Sequence, residues 1–184
     1  MRKRALLLFL ATFGLLQPNL LHEALAAEGA SVSREYQIKA AFLYNFTKFV
    51  EWPPRRFAGP ESPIVIGILG ANPFGDELAT IVKNRKVNNR PIEIRFVATA
   101  AEAASVDVLF AAAGQESRMA AMSGPLQAQS VLTVGESPSF AASGGIIDFI
   151  VEGGKVRFAI NAELGEQAGL KFSAQLLKLA TTVH

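Results

Sequence analysis

Pro63-Ile-Val-Ile-Gly-Ile-Leu69 is an unbroken apolar run of strand length, and Gly70-Ala-Asn-Pro-Phe-Gly-Asp-Glu-Leu78 follows it directly. An apolar run without alternation is typical of a strand that is buried on both faces, as in a parallel sheet. Asn72 suits a helix N-cap and Pro73 suits the first helical position, which predicts a helix over residues 74–83. A buried strand that leads directly into a helix is the repeating unit of an α/β protein.

The alternation of strands and helices continues along the chain. Strands are predicted over residues 92–97, 106–111 and 130–134, with a polar loop over 83–90 and a short helix over 115–122 that Gly124-Pro125 closes. Residues 146–151 and 155–160 are joined by Glu152-Gly-Gly154, which predicts an antiparallel hairpin at the edge of the sheet. Two helices are predicted after it, one capped by Asn161 and one over residues 173–183. The predicted fold is therefore α/β, with a mainly parallel sheet, helices on both faces and an antiparallel C-terminal hairpin.

Residues 36–53 are predicted to form one amphipathic helix. Its apolar stripe has Ile38, Phe42, Phe46 and Phe49 at helical spacing and is widened by Tyr36, Leu43 and Val50. Pro53 and Pro54 are expected to end the helix, because proline has no N–H and restricts the residue before it. Lys39 falls within the stripe, and two interpretations remain open for it. Its ammonium group either reaches water along the helix surface or pairs with a buried carboxylate.

The first residues have the features of a secretory signal peptide. A basic start at residues 2–4 precedes an apolar run over 5–16, and Ala24-Leu-Ala26 supplies the small residues of a cleavage site. We expect residues 1–26 to be removed on export and residues 27–184 to form a single periplasmic domain. The apolar run is shorter than the roughly 20 residues of a membrane span, so stable membrane insertion is not expected.

Charge and residue types argue against several functions. The chain has 18 Lys+Arg and 16 Asp+Glu, but the signal peptide holds three of the former and one of the latter, so the remainder is balanced. A nucleic-acid partner is therefore not expected. There is no cysteine, and the two histidines are His22, in the signal peptide, and His184, the last residue. Without an imidazole base or thiolate ligands, we predict no enzyme activity, no catalytic residues, no metal and no cofactor.

Two segments are candidates for partner binding. Trp52 and Phe57 flank the double proline, where large aromatics either cap the core or anchor a protein interface. In the hairpin, alternation places Ile146, Ile150 and Arg157 on one face, either covered by a helix or exposed to a partner. The basic loop carries Lys83, Arg85, Lys86 and Arg90 and is either solvated or in contact with an anionic partner.

The predicted first helix resembles the opening of the YfiR-like family of small periplasmic proteins. The resemblance is carried there by Tyr36, Lys39, Ala40, Asn45, Phe46, Lys48, Phe49, Trp52 and Pro53. It extends through Gly70-Ala-Asn-Pro-Phe-Gly75, Val131-Leu-Thr-Val-Gly135, Gly144-Gly145, Val156-Arg-Phe-Ala-Ile-Asn161 and Leu176-Leu-Lys-Leu-Ala180. Some members of the family carry cysteine pairs, and any redox control by such pairs is not expected in this chain.

The resemblance implies a regulatory function. YfiR-like proteins bind the periplasmic part of an inner-membrane diguanylate cyclase and hold it inactive, which lowers cyclic di-GMP and biofilm formation. An inner-membrane diguanylate cyclase or sensor kinase is thus the expected partner, and a homodimer is also compatible with the sequence. The alternative is a periplasmic small-molecule-binding sensor, with its ligand at the carboxyl ends of the strands near Gly70 or Gly135.

Overall fold

The computed structural model describes the backbone of residues 18–183 and the side chains of residues 33–183. The predicted signal peptide, residues 1–26, lies outside the part of the chain that is described in full. By its internal contacts the chain from Ser33 onward forms one unit, and residues 1–32 form another. Among the described residues, no helix combines the length and the hydropathy that a membrane span requires.

The described residues contain helices and strands in alternation. The helices are α1 (Pro18–Phe49), α2 (Glu77–Val82), α3 (Ala100–Ala104), α4 (Glu116–Ala128), α5 (Ala162–Gln167) and α6 (Ala174–Leu179). The first five strands are β1 (Val50–Glu51), β2 (Ile64–Leu69), β3 (Lys86–Val87), β4 (Arg90–Val97) and β5 (Val108–Ala111). The others are β6 (Leu132–Gly135), β7 (Ile147–Glu152), β8 (Lys155–Ile160), β9 (Lys171–Phe172) and β10 (Thr182–Val183).

Eight of these strands form one sheet in the order β10-β8-β7-β6-β5-β2-β4-β3. The pairings of β2 with β4 and β5, of β5 with β6, and of β6 with β7 are parallel. Strands β7 and β8 form an antiparallel hairpin, as predicted. However, β10 pairs with β8 on its outer side, so the hairpin does not form the edge of the sheet.

The sheet buries side chains on both faces, and this confirms the predicted layers. In β2, Ile66 and Ile68 belong to a core that α1, α2, α5 and α6 cover. Val65 and Leu69 alternate with them and belong to a second core that α3 and α4 cover. The unbroken apolar run in the sequence is therefore a strand with two buried faces.

Helix α1 differs from its prediction in length and in its buried face. It ends at Phe49, before the two prolines, because the chain extends there into β1, which pairs with β9. The residues buried against the sheet include Ala40, Leu43 and Phe46, whereas Ile38 is 38% exposed. The predicted stripe was thus correct at Phe46 and wrong at Ile38, because the helix meets the sheet on a slightly rotated face.

Two predicted helix boundaries were wrong. Asn72 does not cap a helix; its side-chain oxygen accepts a hydrogen bond from the Phe74 N–H at 3.0 Å and forms a tight turn, and α2 begins only at Glu77. Helix α4 does not stop at Gly124-Pro125 but continues to Ala128. Pro125 is exposed there, on the solvent side of α4, so water can bond the backbone carbonyl that the proline leaves free.

The sequence interpretation also missed five short elements, among them β1 and β9, which pair with each other. Strand β3 lies in the predicted polar loop and pairs with β4 across a tight turn at Asn88 and Asn89, which both have positive φ. Helix α3 begins with a reciprocal capping box between Thr99 and Glu102. The last predicted helix ends at Leu179, and the chain then forms β10.

Candidate functional site

A cavity of about 450 Å³ opens at the carboxyl ends of the parallel strands. Strand β6 ends at Gly135, opposite Asp148 of β7, while the β7–β8 hairpin continues to Glu152 and Lys155. Within the described chain, the outer half of β7 therefore has no strand beside it on the β6 side. The cavity is lined by Glu35, Tyr36, Lys39, Ala113, Glu136, Ser137, Pro138, Asp148, Phe149, Ile150 and Val151. In open α/β sheets this edge is where ligands bind.

Lys39 carries the positive charge of the cavity. Its side chain is only 3% exposed, and its Nζ lies 2.6 Å from Oε2 of Glu136. It also forms an ion pair with Glu35, one helical turn earlier in α1. Of the two interpretations left open by the sequence, the structure supports the buried carboxylate partner. A buried ammonium group requires such partners, because an unpaired charge is costly to remove from water.

Glu136 connects α1 to the ends of two strands. Its Oε1 accepts a hydrogen bond from the Tyr36 hydroxyl at 3.2 Å and another from the Ala113 N–H at 3.3 Å. Burial, together with the negative charge of Glu136, raises the pKa of Tyr36 to about 12. The Tyr36 hydroxyl therefore remains a hydrogen-bond donor at any physiological pH.

Asp148 contributes a third carboxyl group from β7. Burial raises its pKa to about 6, against the opposing effect of the Lys39 ammonium group and with a smaller contribution from Glu136. Its Oδ1 is buried and has no hydrogen-bond partner among the described residues. Oγ of Ser137 is also buried and has no hydrogen bond of standard geometry there, although it lies close enough to the Glu116 carboxylate to help lower the pKa of that group. Both atoms belong to residues of the cavity wall, so the cavity has unused hydrogen-bonding capacity.

The other end of the strands holds two of the predicted interface residues. Trp52 donates a hydrogen bond from Nε1 to the backbone oxygen of Asp107 at 3.3 Å, immediately before β5 begins. The ring of Phe57 lies 3.8 Å from the Arg90 guanidinium carbon. Both aromatic side chains are only partly exposed and contact their own chain, at the end of the sheet opposite the cavity.

The three predicted hairpin residues have different environments. Ile146 is 5% exposed, so the structure removes it from the candidate surface. Ile150 lies directly opposite Arg157 in the hairpin, as the alternation predicted. Ile150 is partly buried and lines the cavity, while Arg157 is exposed. The predicted residues therefore fall into two separate groups.

A partly exposed apolar surface lies beside the cavity and was not predicted. It comprises Ile38, Phe42, Val151 and Val156, and is called here the α1–hairpin surface. Val151 is 48% exposed and lies opposite Val156 in the hairpin. The Phe42 ring lies 6.1 Å from that of Phe149, two residues before Val151. Val151 therefore lies outside the core, although Phe149 on the same face of β7 is buried.

The basic loop is partly engaged within the chain. Arg90 donates hydrogen bonds to the backbone oxygens of Gly59 and Ser62 in addition to its contact with Phe57. The guanidinium group of Arg85 lies 4.9 Å from the Tyr44 ring centre. Lys83 and Lys86 remain exposed, so solvation and contact with an anionic partner both stay predictions for those two lysines.

Two solved structures show distant similarity to this chain. A conserved domain protein from Vibrio cholerae is 17% identical with a TM-score of 0.45, covering 66% of this chain and 55% of that one. The ABC domain in complex with L-Trp from Streptococcus pneumonia is 15% identical with a TM-score of 0.43, covering 65% and 55%. The chain thus spans just over half the length of these proteins. Neither similarity is high enough to support a conclusion about fold or function.

Comparison with curated proteins finds no match. Comparison with family models matches the YfiR/HmsC-like family over residues 36–181. The matched segment begins at Tyr36 in α1 and ends just before β10, so it includes both cores and every residue of the cavity wall except Glu35. The chain therefore belongs to the YfiR/HmsC-like family.

Proposed function

We propose that this chain is a periplasmic regulator that binds the periplasmic part of an inner-membrane diguanylate cyclase and represses it. The observation that supports the proposal is the family match over residues 36–181, because the family comprises periplasmic regulators of cyclic di-GMP signalling. Repression of the cyclase would restrain biofilm formation. A membrane sensor kinase is the second kind of receptor that this function would fit.

Repression requires only differential binding. A protein that binds the inactive state of a receptor more tightly than the active state shifts the receptor toward inactivity, without contact with its catalytic centre. The effect cannot exceed the difference between the two binding free energies, so tenfold repression requires a difference of about 1.4 kcal/mol.

The α1–hairpin surface is the proposed contact with the receptor. Ile38 of α1 and Val151 of the hairpin are two of the five large apolar side chains that the described part of the chain exposes. Clustered apolar side chains on a surface are typical of protein interfaces. Ile150 and Arg157 extend the contact on the other face of the hairpin. Trp52 and Phe57 lie at the opposite end of the strands and are not included.

A crosslinking pull-down from native membranes tests the function. The purified chain serves as bait, and the captured membrane proteins are identified by mass spectrometry. Specific capture of a diguanylate cyclase or a sensor kinase is the expected result. Capture of neither class would overturn the regulatory proposal.

Two matched variants test the surface. Val151→Asp places a charge in the α1–hairpin surface, and Phe96→Asp places one at a distant exposed apolar side chain of β4. We expect Val151→Asp to reduce receptor capture at least tenfold and Phe96→Asp to leave it unchanged, with circular dichroism confirming that both fold. The opposite pattern would place the contact at β4.

The cavity favours a second candidate function, that of a small-molecule sensor. Buried polar atoms without partners are uncommon in folded proteins, and here two of them lie in the wall of one cavity. A ligand that thermally stabilises the chain would support this function. The two functions are compatible, because a bound ligand could alter the affinity for a receptor.

A further inference from the structure

The cavity beside Asp148 has the size of a ligand site. Its volume of about 450 Å³ lies within the range of small-molecule sites, far above that of a packing defect. The two buried side-chain polar atoms without a partner among the described residues, Oδ1 of Asp148 and Oγ of Ser137, both belong to its wall. A ligand that bonds to both atoms would satisfy their hydrogen-bonding capacity.

The charges of the cavity favour a cation. Lys39 is its one ammonium group and is already bonded to both Glu35 and Glu136, so it offers little to an incoming anion. Asp148 is a carboxyl group without such a partner, and the wall holds three carboxyl groups against one ammonium group. When Asp148 is ionised, a bound cation would reduce the net negative charge of the wall.

The walls and the donor set favour an organic cation. Phe149, Ile150, Val151 and Pro138 supply apolar surface next to the carboxyl group. Within the described residues, no group of three or more His, Cys, Asp or Glu side chains is arranged to hold a metal ion. An apolar wall beside a single available carboxylate suits a ligand with a charged head and an apolar body.

We propose that the cavity binds a small organic cation, an amine or guanidine with a short apolar body, through the carboxylate of Asp148. The head group donates hydrogen bonds to Asp148 and to Oγ of Ser137, and the body lies against Phe149 and Ile150. The outer half of β7 has no strand on this side, so its backbone oxygens are further acceptors for an N–H of the ligand. The inference does not depend on the proposed receptor.

The protonation state of Asp148 supports the assignment. A cation binds the ionised carboxylate, so affinity should rise as the pH passes upward through the Asp148 pKa of about 6. The charged or titratable groups that surround this carboxyl are Glu35, Tyr36 and Lys39 of α1, Glu136 after β6, and Arg157 of β8. Between pH 5 and pH 7 the ionised fraction, and with it the affinity, should increase about tenfold.

Calorimetric titration of the purified chain tests the inference with matched probes. Benzylamine carries the ammonium group, while benzoate and benzyl alcohol have the same ring with an anionic or a neutral head. We expect benzylamine to bind and the other two compounds, benzoate and benzyl alcohol, not to bind. Asp148→Asn should reduce its affinity at least tenfold, and Glu93→Gln, which changes an exposed carboxylate on β4, should not alter it.

Two results would overturn the inference. One is the absence of benzylamine binding at pH 7 and millimolar concentration, with agmatine, a guanidine, also failing to bind. The other is equal binding of benzylamine to the wild type and to a folded Asp148→Asn variant. Neither result bears on the receptor, because the pull-down measures receptor capture and its variant changes Val151, whereas these results concern ligand binding at Asp148.

Discussion

At the scale of single residues, the buried Lys39 holds the cavity wall together through its ion pairs with Glu35 and Glu136. A lysine inside a core is stable only if carboxylates accompany it, and here Glu136 and Glu35 do so. Replacement by Met keeps the shape of the side chain but leaves the Glu136 carboxylate buried without its cation. We expect Lys39→Met to lower the free energy of unfolding by about 3–5 kcal/mol, measured by urea denaturation.

The exposed pair between Arg95 and Glu93 is the control for Lys39. Its side chains are 48% and 49% exposed, so solvent screens the 3.0 Å contact between them. Arg95→Met should therefore change the unfolding free energy by no more than about 1 kcal/mol. If Lys39→Met and Arg95→Met lowered the free energy of unfolding by similar amounts, burial would not explain the contribution of the Lys39 ion pair to stability.

Asp148 should make stability depend on pH. The pKa of its carboxyl is raised from 3.8 to about 6 in the folded chain, so the folded state holds the proton more tightly than the unfolded state. Its stabilising contribution is full below about pH 4 and is lost as the pH rises through 6. Because the group is partly exposed, the loss should be roughly 1–2 kcal/mol, less than full linkage would give.

Comparison with Asp148→Asn isolates this effect from the other carboxyl groups. The difference in unfolding free energy between the wild type and the variant should favour the wild type at pH 4 and decline by pH 7. Urea denaturation at both pH values measures it. A difference that stays constant would show that the pKa of Asp148 is not raised in the folded chain.

Part of this site could be predicted from the sequence. The position of Lys39 within an apolar helical stripe already indicated that a buried carboxylate partner was one of two possibilities. The partner itself could not be identified, because Glu136 is 97 residues away and reaches Lys39 only through the strand order. Gly135 was predicted as a ligand position from the end of a strand, and Glu136 is the next residue.

At the scale of elements, the packing of α5 on β9 depends on one glycine. A Cβ at Gly165 would lie 2.3 Å from the ring of Phe172, which is too close for two carbon atoms. Helix propensity alone would favour alanine at this position by about 1 kcal/mol. We expect the clash to dominate, so that Gly165→Ala lowers the free energy of unfolding by about 1–3 kcal/mol.

A double-mutant cycle separates these two effects. Phe172→Leu removes the ring atoms that the new methyl group would meet. In that background Gly165→Ala should be neutral or slightly stabilising, which chemical denaturation can measure. If Gly165→Ala lowered the free energy of unfolding equally in both backgrounds, the clash with the Phe172 ring would not be the cause of the destabilisation.

The elements that the sequence predicted well are those with a strong local pattern. Strand β2 is apolar at every position, and the β7–β8 hairpin has its glycine pair between two apolar runs. The missed elements are short and depend on partners elsewhere. Strand β3 has only two residues, although Asn88 and Asn89 were a recognisable turn signal. The capping box of α3, Thr99 and Glu102, was also present in the sequence and was overlooked.

At the scale of the whole molecule, the sheet separates two regions that the sequence could not distinguish. The cavity lies at the carboxyl ends of the parallel strands, and Trp52 lies beside Asp107 at their amino ends. Trp52, Phe57, Ile150 and Arg157 were all plausible interface residues on their own chemistry. Only the strand order shows that no single compact partner surface includes all four, because strand order is set by long-range pairing.

The two cores share the strands of one sheet, and this predicts cooperative unfolding. Side chains of β2 and β5 alternate between the two cores, so neither core can lose its strands while the other keeps them. Leu43 lies in the core under α1, and Met119 lies in the core under α4. Leu43→Ala and Met119→Ala should each destabilise the whole unit, by about 2–5 kcal/mol.

The single tryptophan of the chain, Trp52, provides the measurement. Its fluorescence reports unfolding at the amino ends of the strands, and far-UV circular dichroism reports the loss of helices and strands in the whole unit. Because one sheet supports both cores, the two signals should follow the same urea transition in the wild type and in both variants. If Met119→Ala moved the circular dichroism transition alone, the core under α4 would unfold separately. The sheet would then not couple its two faces.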